Sequence, residues 1–211
     1  MGIIAKKPEN DFKKVEPGSY VARCFSMIEI GTIDTEYKGA KKKSHKVMLT
    51  FELPEELEVF YIDKGLEPYA VSKTYTLSMF KDSNLRKDLE GWRGKGFTEQ
   101  EAEAFDITVL LGLPCMLSVI HEPGITDPSK TYVKIASISR LPKKTECPPQ
   151  INPTKLLSYD NFNWDVFNAL SDYLKDKIES SEEFQLLQEP STTHTDEGLP
   201  VKEDEPNDLP F

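Results

Sequence analysis

The chain has 211 residues, 26 Lys+Arg against 36 Asp+Glu and a formal net charge of −10, a length that suits one domain with a core plus an appendage, or two small domains. The charge is unevenly placed: residues 1–150 carry 22 cations against 22 anions and residues 151–211 carry 4 against 14, so a neutral body precedes a polyanionic arm. Nothing reaches the ~18 apolar residues of a membrane span, the N-terminus lacks a signal-peptide core, and three unpaired-looking cysteines without a CxxC point to reduced thiols in the cytoplasm.

After a polar lead-in, Pro17-Gly18 opens a run from Ser19 to Ile33 with strand alternation, Tyr20, Ala22, Cys24, Ser26, Ile28 and Ile30 on one face. It is far longer than the usual ~5–6 residues of a strand, which predicts strong bending, as in the first strand of a small barrel that pairs with two partners. Thr35 to Lys46 reads as a loop holding Tyr37, Lys38, Lys41, Lys42, Lys43 and Lys46. A second strand follows with Val47, Leu49, Phe51 and Leu53 inward and Met48, Thr50 and Glu52 outward, ending in a turn at Pro54-Glu55-Glu56. Leu57 to Ile62 and Tyr69 to Phe80 are further strand candidates.

The period changes at Lys81. Asp82 or Ser83 caps a helix with Leu85, Leu89 and Trp92 on one stripe, broken by Gly91 and Gly94-Lys95-Gly96. Thr98-Glu99-Gln100-Glu101 is a capping box for a second short helix, with Phe97 placed to staple against Ala102. Strands resume at Pro114 to Ile120 and, after a Gly/Pro turn, at Thr131 to Leu141. Four prolines between Pro142 and Pro153 end that region. Asn163 to Ile178 forms one amphipathic helix with the stripe Phe167, Leu170, Leu174 and Ile178, which either folds back on the body or pairs with another subunit.

The predicted class is mainly β with a helical insert (α+β): an OB-fold, a five-stranded Greek-key barrel, at residues 1–141. A Pro-rich linker and amphipathic helix fill 142–184, and a disordered acidic tail 185–211. An immunoglobulin-like sandwich would need about seven strands and no central helix, and ranks second.

Single-stranded nucleic acid asks for cations along a phosphate path and flat rings on which bases stack, worth ~1–3 kcal/mol each. Tyr37, Lys38, Lys41, Lys42, Lys43 and Lys46 supply both in the proposed first loop. A second candidate patch holds Arg86, Trp92, Arg93 and Lys95, where flanking glycines let a backbone approach a phosphate. Trp92 shares its stripe with Leu85 and Leu89, so core packing fits it equally. On the third strand Tyr75 and Phe80 fall on opposite faces, so at most one is a stacking platform, and Tyr75 is the candidate taken. No phosphate-loop, nucleophile-elbow or metal-ligand spacing occurs, which predicts a protein with no enzymatic activity, cofactor or metal site.

The chain closes on Glu203-Asp204-Glu205-Pro206-Asn207-Asp208-Leu209-Pro210-Phe211, acids followed by a ring beside the α-carboxylate, a tip suited to an apolar, basic-rimmed groove on a partner. This ending resembles the terminal peptide of bacterial and phage single-stranded DNA-binding proteins, and with the barrel plan the whole chain resembles a phage-encoded member of that family. The resemblance implies coating of single-stranded DNA in replication, recombination and repair, and recruitment of other proteins through Asp204, Asp208, Leu209, Pro210 and Phe211. The helical insert is longer than in the bacterial relatives and the linker lacks their Gly/Gln/Pro-rich composition, so their tetramer is not carried over, and monomer and dimer both stay open. The rival reading is an OB-like adaptor that binds protein and not nucleic acid.

Overall fold

A computed structural model describes residues 13–188 apart from 38, 125 and 126. The long first run becomes strand β1 (Gly18–Tyr37), which β2 (Ala40–Glu58) follows antiparallel from Arg23 to Tyr37. The N-terminal end of β1, Gly18 to Arg23, pairs instead with β4 (Pro114–Pro123). One strand therefore serves two neighbours, as its length requires. A bulge between Cys24 and Ser26 does more than bend it. An extra residue reverses side-chain parity, so Ala22 and Cys24 enter the main core, Met27 continues there, and Ile28 and Ile30 turn to a second cluster. The single face expected from Tyr20 to Ile30 is thus split between two cores.

Strand β2 buries Val47, Leu49, Phe51 and Leu53 in the main core. Pro54-Glu55-Glu56 makes no turn; a register shift between Leu53 and Leu57 absorbs these residues and the strand runs on to Glu58. β3 (Glu67–Thr76) points Val71 and Tyr75 inward and leaves Ser72, Thr74 and Thr76 exposed. Helix α1 (Asn84–Arg93) is capped by Ser83, whose Oγ accepts from the Arg86 amide, and ends at Gly94 in the left-handed region (φ 68°). Gly91 does not break it. A Cβ there would lie 2.3 Å from the Ile138 carbonyl oxygen, so glycine lets α1 sit backbone against backbone on β5 (Thr131–Ser139), where the Arg140 amide donates to the Gly91 carbonyl at 2.8 Å. Thr98 and Glu101 close the capping box of α2 (Glu99–Glu103), and that amide bond with Arg93 and Lys95 lowers the Glu101 carboxyl to about 2.

The ladder runs β3-β2-β1-β4-β5 and stops. β3 and β5 approach each other without pairing and α1 packs on both, so the sheet is not closed. The architecture is an antiparallel sheet with helices, α+β. Burial holds the thiol of Cys24 up at about 12 and raises that of Cys115; both are free.

Beyond the prolines, Lys155–Leu157 forms an unexpected short strand, β6, parallel to Ser26–Ile28 of β1. The amphipathic stretch is two helices rather than one, α3 (Trp164–Asn168) and α4 (Asp172–Glu179), broken at Ala169-Leu170-Ser171, and a further helix, α5 (Glu182–Gln188), follows after Ser180-Ser181. Phe167, Leu174, Ile178 and Phe184 close over Ile28, Ile30 and Leu157 as the second core. Gly31 (φ 93°) makes this possible, because a side chain there would strike Ser181 and Glu183 at 2.7 Å. Helix α5 carries regular structure to Gln188, past the boundary expected at 184.

Candidate nucleic-acid interface

The lysine-rich stretch is not a loop. Ala40 onward is strand, with Tyr37 opposite Ala40, Glu36 opposite Lys41, Thr35 opposite Lys42 and Asp34 opposite Lys43. The reason is register: β1 extends four residues beyond Ile33, and each added residue gives β2 a backbone partner. Pleating then sorts the lysines onto two faces.

Lys41 and Lys43 share a face with His45, and on this face acids hold Lys43 and His45. Lys43 pairs with Glu182 of α5, which raises its affinity for the proton, and Asp34 adds to that. His45 lies between Glu29 (2.8 Å) and Glu183 (3.1 Å), and Glu183 also accepts from the Thr32 amide and hydroxyl at 2.6 and 2.7 Å.

Lys42 and Lys46 occupy the other face, beside the exposed hydroxyls of Ser72, Thr74 and Thr76. Lys46 donates to Thr76 Oγ1 at 2.8 Å, and Thr50 and Ser72 are bonded at 2.9 Å. Burial first, then the ammonium groups of Lys42 and of Lys177 on α4, hold Lys46 below its ordinary lysine value. None of these three cations has an ion-pair partner among the described residues. Lys42 and Lys177 thus both act on Lys46, and a phosphate is the kind of group that would relieve unpaired ammoniums so placed. Tyr173, one helical turn before Lys177, is 69% exposed and its ring centre is 4.4 Å from the Lys177 ammonium. A flat ring therefore stands at the edge of the cationic face.

The second expected patch is structural. Trp92 is 4% exposed, packs on Phe51 with ring centres 5.3 Å apart, and donates from Nε1 to the Pro114 carbonyl at 2.9 Å. Tyr75 is 3% exposed and donates to Asp88 at 2.8 Å; burial first and then Asp88 push its phenol far above the ordinary value. Neither ring can reach a base. Arg86 is buried, holding the carbonyls of Met79 and Phe97 and the carboxylate of Glu90. Arg93 stacks on Phe97 at 3.9 Å and pairs with Glu101, which also takes Lys95. Of that patch only Lys95 is well exposed. Lys38 and the tip residues Asp204, Asp208, Leu209, Pro210 and Phe211 lie outside the described residues.

Lys177 and Tyr173 are not among the residues that the sequence singles out. Their spacing of i and i+4, each one residue before the buried Leu174 and Ile178, was the available signal. No family model matches the chain, and no curated protein is similar to it.

Exchange of Trp92 for phenylalanine is expected to leave affinity for single-stranded DNA within about twofold while lowering stability by about 2 kcal/mol, through the lost Nε1–H bond and ring volume. Parallel oligonucleotide titration and thermal melting check this. A large loss of affinity in a protein of unchanged stability would return Trp92 to the binding surface.

Proposed function

We propose that the chain is a non-enzymatic protein that binds single-stranded DNA without sequence preference, by the outer face of β2 and β3. The observation that carries the reading is the unpaired cluster of Lys42, Lys46 and Lys177 next to the exposed Tyr173. Ammoniums and hydroxyls suit a phosphate backbone, and a ring suits a base of any identity.

The fold is consistent with this. We read the strand order β3-β2-β1-β4-β5, with a helix between β3 and β4, as an OB-fold parted between β3 and β5. OB-folds take oligonucleotides on the face of strands 2 and 3 and on the connections between strands 1 and 2 and strands 4 and 5. Tyr132, half exposed at the start of β5, stands beside the latter. The acidic arm ending in Asp208, Leu209, Pro210 and Phe211 is the proposed recruiter of replication or recombination proteins, on the resemblance of that tip to those of phage and bacterial single-stranded DNA-binding proteins.

Titration of the full chain into fluorescein-labelled oligo-dT tests the proposal. Three phosphate contacts give an expected slope of log affinity on log salt of about −2, at about −0.7 per contact for single strands. Failure to bind at about 50 mM salt would overturn it.

A further inference from the structure

A second surface has the reverse sign. A cavity of about 340 Å³ opens between β1, β2, α2 and β6, with Met27, Val47, Leu85 and Leu157 as its apolar floor. It continues into a shallower hollow of about 770 Å³ across a shared wall that includes Leu77, Met79 and Ala102. Phe80 lines this hollow and is 84% exposed, an unusual state for so large an apolar ring.

The charge around this groove is one-sided. No Lys or Arg lines the deeper cavity, while Glu29, Glu103, Asp106 and Asp160 do. The hollow adds Asp82 and Glu99 against Lys81 and the buried Arg86. Glu29 is already held by His45 and the Tyr159 amide, and Asp106 by Thr108. Glu103 and Asp160 are exposed and have no ion-pair partner among the described residues. Such a rim repels a nucleic acid and equally the chain's own acidic C-terminus.

We infer that this groove docks a basic amphipathic segment of a partner protein. Apolar side chains one helical turn apart enter the Met27–Leu157 cavity and cover Phe80 and Leu77, and flanking Lys or Arg meet Glu103 and Asp160. The site is separate from the lysine face, so the protein can hold a strand and this partner together.

A labelled synthetic helix of leucines at i, i+3, i+4 and i+7 among lysines is the probe, with a peptide of the same composition in scrambled order as control. Added to the ¹⁵N-labelled full chain, the probe is expected to shift amides within 77–85, 102–108 and 156–160. The paired change Glu103→Lys and Asp160→Lys, and separately Phe80→Ser, are each expected to weaken the peptide at least about tenfold; Phe80→Ser, which alters no charge, leaves oligo-dT affinity within about twofold. These side chains are exposed, and a melting curve confirms that the variants fold. Equal binding of the scrambled peptide, shifts confined to the acidic arm at 189–211, displacement of the peptide by oligo-dT, or occupation of the groove by residues 1–12 of this chain would each overturn the inference.

Discussion

Changing Lys42, Lys46 and Lys177 together to alanine is expected to lower oligo-dT affinity by about 100-fold at about 50 mM salt. At roughly 1 kcal/mol for each exposed ammonium–phosphate contact, three contacts amount to two decades in the dissociation constant. The salt slope should flatten by about 2, because each lost contact to a single strand removes about 0.7 of a released counterion. Lys41→Ala with Lys43→Ala serves as the comparison. Glu182 and Asp34 hold Lys43, and Lys41 projects from the same side of the strand, away from the proposed path, so the pair should change affinity no more than about threefold. Equal losses in the two variants, measured by fluorescence anisotropy over a salt series, would mean that general positive charge and not this face binds the strand.

The comparison matters because Lys41, Lys42, Lys43 and Lys46 come from one run of six residues. Composition alone treats Lys41, Lys42 and Lys43 as one patch. The pleat of β2 separates them, and then α4 and α5 act on the two faces in opposite senses. Helix α5 brings Glu182 and Glu183 to Lys43 and His45, whereas α4 brings a further cation, Lys177, to Lys46. The C-terminal helices thus decide which lysines remain available. Release of α5 would expose Lys43 on the face away from the proposed strand path.

Local signals in the sequence translated directly. The alternation of Val47, Leu49, Phe51 and Leu53, the stripe of Leu85, Leu89 and Trp92, and the Thr98–Glu101 box depend on neighbours within a few residues, and each lies where its period places it. The features that escaped depend on distant pairing. The bulge after Cys24, which divides β1 between two cores, is specified by what β2 and β6 offer rather than by any residue in β1 itself. Arg86 resembled a surface cation because its anchors are the carbonyls of Met79 and Phe97, and a carbonyl leaves no mark in the sequence. The candidate site was half legible. Lys42 and Lys46 stood in the basic run, but Lys177 joins them from 131 residues beyond Lys46, through the packing of α4 on β1.

Glu52 is where the missed pairing should have the largest effect on stability. As the even-numbered member of an alternating strand it read as solvent-facing, yet it is 0% exposed. Its carboxylate accepts from the Ile151 amide at 2.8 Å, the Asn152 amide at 2.7 Å and Asn152 Nδ2 at 2.8 Å, and so fastens the proline-rich crossing to the sheet. Arg23 is its cross-strand neighbour and clamps the same crossing through the carbonyls of Cys147 and Pro148. Glu52→Gln keeps the shape but turns a donor toward donors, leaving at least one amide without an acceptor. A cost of about 3 kcal/mol follows, or about 5–10 °C in Tm for a chain of this size. The segment loosened first should be the one fastened: hydrogen exchange should quicken at Ile151 and Asn152, then at β6, while β2 and β3 remain protected. Because the crossing leads into β6 and the helices that bring Lys177 to Lys46, oligo-dT affinity should fall toward that of Lys177→Ala alone. A Tm change below about 1 °C, or exchange that quickens uniformly across the sheet, would show that the crossing is held by other contacts than this carboxylate.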